Sequence, residues 1–176
     1  MNDNLPLAYL LILLVLLSGT AIFVIRQITK TRKTENQLSK LQNKLNKEKG
    51  TVDDYYNLGS IYLEKKLYVQ AVELLQKGLR IKDSGSEEDI AKIYNALGFA
   101  YFAQEQYDIA IRQYKEALKA DPNYVTAYNN LGHAYEKKKL TAQALEAYES
   151  ALKYDSKNDT AKRRAESMKK RLTTSS

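Results

Sequence analysis

No cysteine and no tryptophan occur in the 176 residues, and the single histidine is His133. Without thiols there can be no disulfide framework and no thioether lipid attachment. One imidazole alone is too little for a metal centre. Glycine and proline are scarce, with seven and two copies, and no stretch alternates apolar and polar residues as a half-buried strand would. A glycine-rich phosphate loop following a strand is therefore missing as well. The acids and hydroxyls are scattered without a nucleophile–base pairing. The sequence thus predicts an all-α protein with no catalytic residues, no metal and no cofactor, which is not an enzyme.

What the chain does contain is a sentence written three times. Tyr55-x-x-Leu58-Gly59-x-x-Tyr62 returns as Tyr94-x-x-Leu97-Gly98-x-x-Tyr101 and as Tyr128-x-x-Leu131-Gly132-x-x-Tyr135. Each copy is followed by a small residue (Ala71, Ala110, Ala144), a bulky one (Leu75, Tyr114, Tyr148) and a small one again (Gly78, Ala117, Ala151). Gly98 and Gly132 are 34 residues apart and Gly59 and Gly98 are 39 apart. A period of 34 is that of helical-hairpin repeats, so five residues are inserted at the first junction, in the polar stretch Asp83-Ser84-Gly85-Ser86-Glu87.

Such hairpins cannot bury their apolar faces singly and stack to share a continuous core. Glycine inside a helix costs about 1 kcal/mol relative to alanine, so Gly59, Gly98 and Gly132 are expected where a neighbouring helix approaches closely, with the tyrosines as core filler. The repeats are expected at about 52–83, 88–121 and 124–155, within a repeat domain of 51–155. Asp121-Pro122-Asn123 marks one junction, because proline suits a first helical turn and not an interior. A capping helix is expected over 156–172, with Ala161, Ala165, Met168 and Leu172 inward and Lys162, Arg163, Arg164, Lys169, Lys170 and Arg171 in water. Residues 173–176 read as a tail.

The other end differs in kind. After a short tail, 1–6, residues 7–25 carry no charge and are nearly all Leu, Ile, Val, Ala or Phe, long enough to cross a hydrocarbon core of about 30 Å. The opening Met1-Asn2-Asp3-Asn4 lacks the basic start of a cleaved signal, so a retained, single-pass transmembrane helix is expected. Arg26, Lys30, Arg32 and Lys33 follow the span and only Asp3 precedes it, which places the repeats on the side of synthesis. Residues 26–50 read as a basic juxtamembrane helix or linker ended by Gly50. Lysine and arginine total 28 against 21 acids, for a pI near 9.3. The excess lies in 1–50 (8 basic, 3 acidic) and 156–176 (7 and 2), whereas 51–155 carries 13 basic and 16 acidic residues. Basic charge beside a membrane matches anionic headgroups, and no nucleic-acid partner is expected.

The first helix of each hairpin lines the inner side of a curved array. Stacking equivalent positions gives Tyr56, Asn95 and Asn129; then Ser60, Phe99 and His133; then Leu63, Phe102 and Glu136. Amides can donate to and accept from an extended backbone, and Phe99 and Phe102 can seat an apolar side chain. The expected partner-binding groove comprises Tyr56, Ser60, Asn95, Phe99, Phe102, Asn129 and His133.

The seven-slot pattern resembles the tetratricopeptide-repeat family, which implies a right-handed α-solenoid of three hairpins and a role in protein–protein interaction. One branch of that family grips carboxylate-ended chaperone peptides with Lys, Asn and Arg. The corresponding slots here hold Tyr56, Ser60, Asn95, Thr126 and Asn130, with Lys92 the lone base, so a chaperone-tail receptor is not expected. The whole chain further resembles membrane-anchored tetratricopeptide proteins of cyanobacteria and red-algal-type plastids that assist photosystem I assembly or stability. The likeness rests on Leu5-Pro6 and the span, RQITKTR at 26–32, NALGFAYFAQ at 95–104, AIRQYKEAL at 110–118 and NNLGHAYEKK at 129–138. It implies a thylakoid protein with stromal or cytoplasmic repeats and photosystem I subunits or assembly intermediates as partners. The alternative is a general inner-membrane scaffold for envelope or secretion complexes.

Overall fold

The structure is a computed structural model and describes residues 5–48, 50–81 and 85–174. Residues 1–4 of the expected N-terminal tail, Asp83 and Ser84 of the expected insert, and the last two residues of the expected C-terminal tail lie outside these. The chain divides into two compact units, Met1–Asn43 and Lys44–Ser176.

The first unit is most of one helix, α1 (Leu5–Lys47). The apolar run and the basic segment after it are thus a single uninterrupted helix. Over residues 7–25 its large apolar side chains are uncovered, from 50% exposure at Val24 to 70% at Phe23, and an 18-residue window of this helix has mean hydropathy 2.3 with none of it buried. Ser18 Oγ donates to the Val15 carbonyl at 2.9 Å and Thr20 Oγ1 to that of Leu17 at 2.8 Å. The helix therefore satisfies its own hydroxyls without water, as apolar surroundings require.

The second unit stacks helices in pairs: α2 (Val52–Glu64) with α3 (Tyr68–Leu79), α4 (Glu87–Ala103) with α5 (Tyr107–Ala120), and α6 (Val125–Lys137) with α7 (Thr141–Tyr154), closed by α8 (Asp159–Thr174). Among the described residues every element is a helix. The first helices α2, α4 and α6 touch in sequence and form one layer, and α8 packs on α7. The core is three linked clusters, each shared by adjacent hairpins. Val52 and Leu75 meet Ile93, Ala96 and Leu97; Ile111 and Tyr114 meet Leu131, Ala134 and Ala147; Tyr148 and Ala151 meet Ala161, Ala165 and Met168.

Local chemistry sets the helix ends. Thr51 and Ser86 each accept a hydrogen bond from the N3 amide, while the N3 carboxylate, Asp54 or Asp89, accepts from the cap amide in return. Asp121 Oδ1 accepts from the Asn123 amide at 2.9 Å and Asp155 Oδ1 from that of Lys157 at 3.1 Å, so an Asx turn closes both later junctions and the second needs no proline. Inside the hairpins, Lys66, Glu105 and Lys139 are left-handed, with φ near 60°. The amides of Leu67, Gln106 and Leu140 donate to the carbonyls of Tyr62, Tyr101 and Tyr135 at 2.8–2.9 Å. This is a Schellman-type ending without glycine, repeated three times.

Gly50 does not end α1 by a left-handed turn, since no glycine here has positive φ. It is buried, and a Cβ there would lie 2.0 Å from Leu45 Cδ2; the position needs space. Helix α8 also continues through Thr173 and Thr174, two residues past the expected cap, because both hydroxyls donate to the Lys170 carbonyl, at 2.9 and 3.1 Å.

Asp54, on α2, is a buried acid, 6% exposed. Lys44 Nζ lies 2.7 Å from its carboxylate, and the Thr51 amide and hydroxyl donate at 2.9 and 3.0 Å. Burial by itself would raise this carboxyl, but the hydrogen bonds from Lys44 and Thr51 outweigh it and hold Asp54 below its ordinary range. Asp54→Ala is expected to cost about 1–2 kcal/mol at pH 7, through the lost cap and ion pair. Because the folded-state value is depressed, this contribution is present above the unfolded-state value and disappears as pH falls through the folded one. Melting curves of both proteins should therefore differ at neutral pH, and the gap should begin to narrow only below about pH 4 and close as pH falls through the folded-state value; a gap that does not narrow in acid would contradict the assignment.

Candidate functional site

The layer of first helices presents a strip of side chains at the same register in each hairpin. Phe99 is 43% exposed; Tyr56, Ser60, Asn95, Phe102, Asn129 and His133 are half-buried. Phe102 packs on His133 at 4.8 Å between ring centroids and meets Tyr107 edge-on at 5.3 Å. This joins the apolar part of α4 to α6. Tyr56 packs against the first core cluster, and among the described residues no hydrogen bond links it or Ser60 to the other groove positions.

The amides are arranged differently from the expected row. Asn95 Oδ1 accepts from Asn130 Nδ2 at 2.9 Å, and Asn95 Nδ2 reaches the Tyr124 hydroxyl at 3.5 Å. Asn95 is thus paired to Asn130, one position along from Asn129. Asn129 keeps a buried Oδ1 without a hydrogen-bond partner. A helix advances about 100° per residue, so neighbours at 129 and 130 point to different sides, and only the packed structure shows which one crosses to α4.

Glu136 is withdrawn from the surface, with its side chain 8% exposed. The Tyr148 hydroxyl donates to Oε1 at 2.6 Å and Arg164 approaches Oε2 at 3.4 Å. Burial together with this carboxylate pushes the Tyr148 hydroxyl pKa far up; at Tyr114 burial acts alone. Tyr148→Phe should therefore cost about 1–2 kcal/mol, because it strands a buried acid, whereas Tyr114→Phe should be nearly neutral. Equal losses in denaturant titrations would show that the Tyr148–Glu136 bond contributes nothing.

Burial lowers the His133 pKa, Arg164 and Lys137 add to the effect, and Glu136 opposes them. The imidazole is neutral at pH 7 and can both donate and accept. Lys92, the lone base of the chaperone-type slots, is held by Glu88 at 2.7 Å on its own helix. It lines a pocket of about 420 Å³ with Glu87, Pro122 and Tyr124 at the groove rim. No group of three or more potential metal ligands occurs among the described residues. Sequence reasoning did not single out Tyr124, which meets Asn95, or Arg164, which meets Glu136; for Arg164 the signal was present, since it lies 34 residues after Asn130.

Stacked hairpins with an open layer of first helices define a tetratricopeptide-repeat scaffold for protein–protein interaction. The chain matches the tetratricopeptide-repeat family over residues 55–84 and 125–158, and a second family, described as TPR repeat, over 98–139. It superposes on the first TPR domain of Spaghetti (RPAP3) bound to an HSP90 peptide with a TM-score of 0.63. That match is 20% identical and covers 70% of this chain and 94% of the other, a likeness of fold. More specifically, the chain belongs to the ycf37 family. It is 35% identical to the ycf37 protein of Guillardia theta over 125 residues, 71% of this chain and 70% of that one. It is 43% identical to the ycf37 protein of Cyanophora paradoxa over 117 residues, 66% and 65% of the two chains. Identity is 38% over 124 residues to the Arabidopsis thaliana tetratricopeptide repeat domain-containing protein PYG7, chloroplastic, of which 41% is spanned.

Proposed function

We propose that this protein is a thylakoid-anchored assembly factor that holds a photosystem I subunit or intermediate beside the membrane, through the groove of its first helices. The observation that carries the reading is one chain with a helix whose apolar run is wholly uncovered and a repeat array whose groove displays Phe99. The resemblance to photosystem I assembly proteins, together with ycf37 and chloroplast relatives, supplies the client. Helix α1 crosses the bilayer, and the basic residues after it keep the repeats on the stromal or cytoplasmic side. Confinement to the client's own membrane raises effective concentration, so avidity about a hundredfold above the groove's intrinsic affinity follows without further contacts.

The test is capture through a C-terminal tag from mildly solubilised native membranes, followed by a moderate-salt wash. Photosystem I subunits recovered above equally abundant photosystem II subunits are the expected result. Recovery of envelope or secretion proteins would replace this reading with the inner-membrane scaffold. Phe99→Ala with Asn129→Ala should leave melting nearly unchanged and weaken client capture about tenfold or more. Undiminished capture would move binding off the groove.

A further inference from the structure

Helix α8 does more than cover the last apolar face. Its buried residues Ala161, Ala165 and Met168 stand 34 positions after Ala127, Leu131 and Ala134, all four-square in the core. Asn158 caps it by accepting from the Ala161 amide at 2.9 Å. It is the first helix of a further half-repeat, in register with α6. The positions that line the groove on α6, namely Thr126, Asn129, Asn130 and His133, therefore recur on α8 as Thr160, Arg163, Arg164 and Ser167. These four surround an open hollow of about 360 Å³.

The groove thus changes character along its length. On α4 it offers Phe99 and Phe102; on α8 it offers two guanidinium groups. The acid facing them, Glu136, accepts from the Tyr148 hydroxyl on Oε1 at 2.6 Å and from Arg164 on Oε2 at 3.4 Å, and the Arg164 side chain keeps 49% exposure beside this long ion pair. Arg163 is exposed, with Nε donating to the Asp159 carbonyl at 3.3 Å. Phe102 and His133, in ring contact, connect the two parts. Guanidinium groups are suited to bidentate recognition of carboxylates.

We propose that the groove extends onto α8 and takes an extended acidic peptide segment, with an apolar side chain on Phe99 and Phe102 and carboxylates on Arg163 and Arg164. This rests on the reading that the groove is the binding surface, and it adds the chemistry of the occupant and the direction in which it lies.

The full chain in detergent micelles is titrated with fluorescent synthetic peptides bearing one Phe next to a run of Glu, or the same run as Gln. The Glu peptide should bind about tenfold or more tightly than the Gln peptide, and the difference should shrink with salt. Arg163→Glu should remove most of that difference without changing Gln-peptide binding. Thr160→Glu, which suits the first turn of α8, should weaken the Glu peptide in the same way and serves if Arg163→Glu disturbs folding. Equal binding of both peptides, or indifference to both substitutions, overturns the proposal. So does an Arg163 dependence seen only with phosphatidylglycerol vesicles and not with peptide. Native client capture separates the two readings: loss on Phe99→Ala but not on Arg163→Glu or Thr160→Glu keeps the groove and discards the acidic occupant, while loss on none of them discards the groove itself.

Discussion

Met168→Ala lowers the stability of the repeat array by about 2–5 kcal/mol, the range for emptying a methionine site in a packed core. Met168 is 1% exposed and sits with Ala161 and Ala165 against Ala144, Tyr148 and Ala151. Its neighbours on α8 are small, so the backbone cannot close the void without losing its seat on α7. In a repeat array each unit is held chiefly by its neighbours, and the damage should therefore be graded along the chain. Hydrogen exchange should accelerate first in α6, α7 and α8 and leave α2 and α3 protected. Uniform acceleration would mean that the array unfolds as one block, and an unchanged melting curve would show that α8 contributes no stability.

Gly98→Ala together with Gly132→Ala should cost about 2–4 kcal/mol, although alanine is the better helix former by about 1 kcal/mol at each site. A Cβ on Gly98 would lie 2.5 Å from the Tyr114 ring, and one on Gly132 would lie 2.7 Å from the Tyr148 ring. Both rings are 1% exposed and locked between hairpins, so neither can swing away. Gly59 repeats the arrangement with Leu75 at 2.8 Å. Gly19, in α1, has nothing within 4 Å, and Gly19→Ala is the control that should leave the array's unfolding midpoint where it was. If the double variant matched or exceeded the parent, the close approach would not be the reason for glycine.

Much of the architecture was legible without coordinates because it depends on spacing. Three copies of Tyr-x-x-Leu-Gly-x-x-Tyr demand helices, and the uncharged run from 7 to 25 leaves α1 apolar wherever it lies. Packing glycines, buried tyrosines and a closing helix follow from the same periodicity. The hairpin turns were not legible in this way: Lys66, Glu105 and Lys139 carry no turn signature, and their left-handed backbone is imposed by the carbonyls that their neighbours' amides must reach.

The groove divides along the same line. Its register, and hence the candidacy of Asn95, Phe99, Phe102 and His133, came from counting residues. That Asn95 pairs with Asn130, that Asn129 keeps an orphan acceptor, and that Glu136 turns inward onto Tyr148 came only from packing. The sequence by itself determined which residues repeat and which face of each helix is apolar, because helical periodicity is a local property. Tertiary structure alone decided which polar side chains are spent on other helices and which, like Arg163, stay exposed, because hydrogen bonds between residues 12 to 35 positions apart depend on how the helices meet.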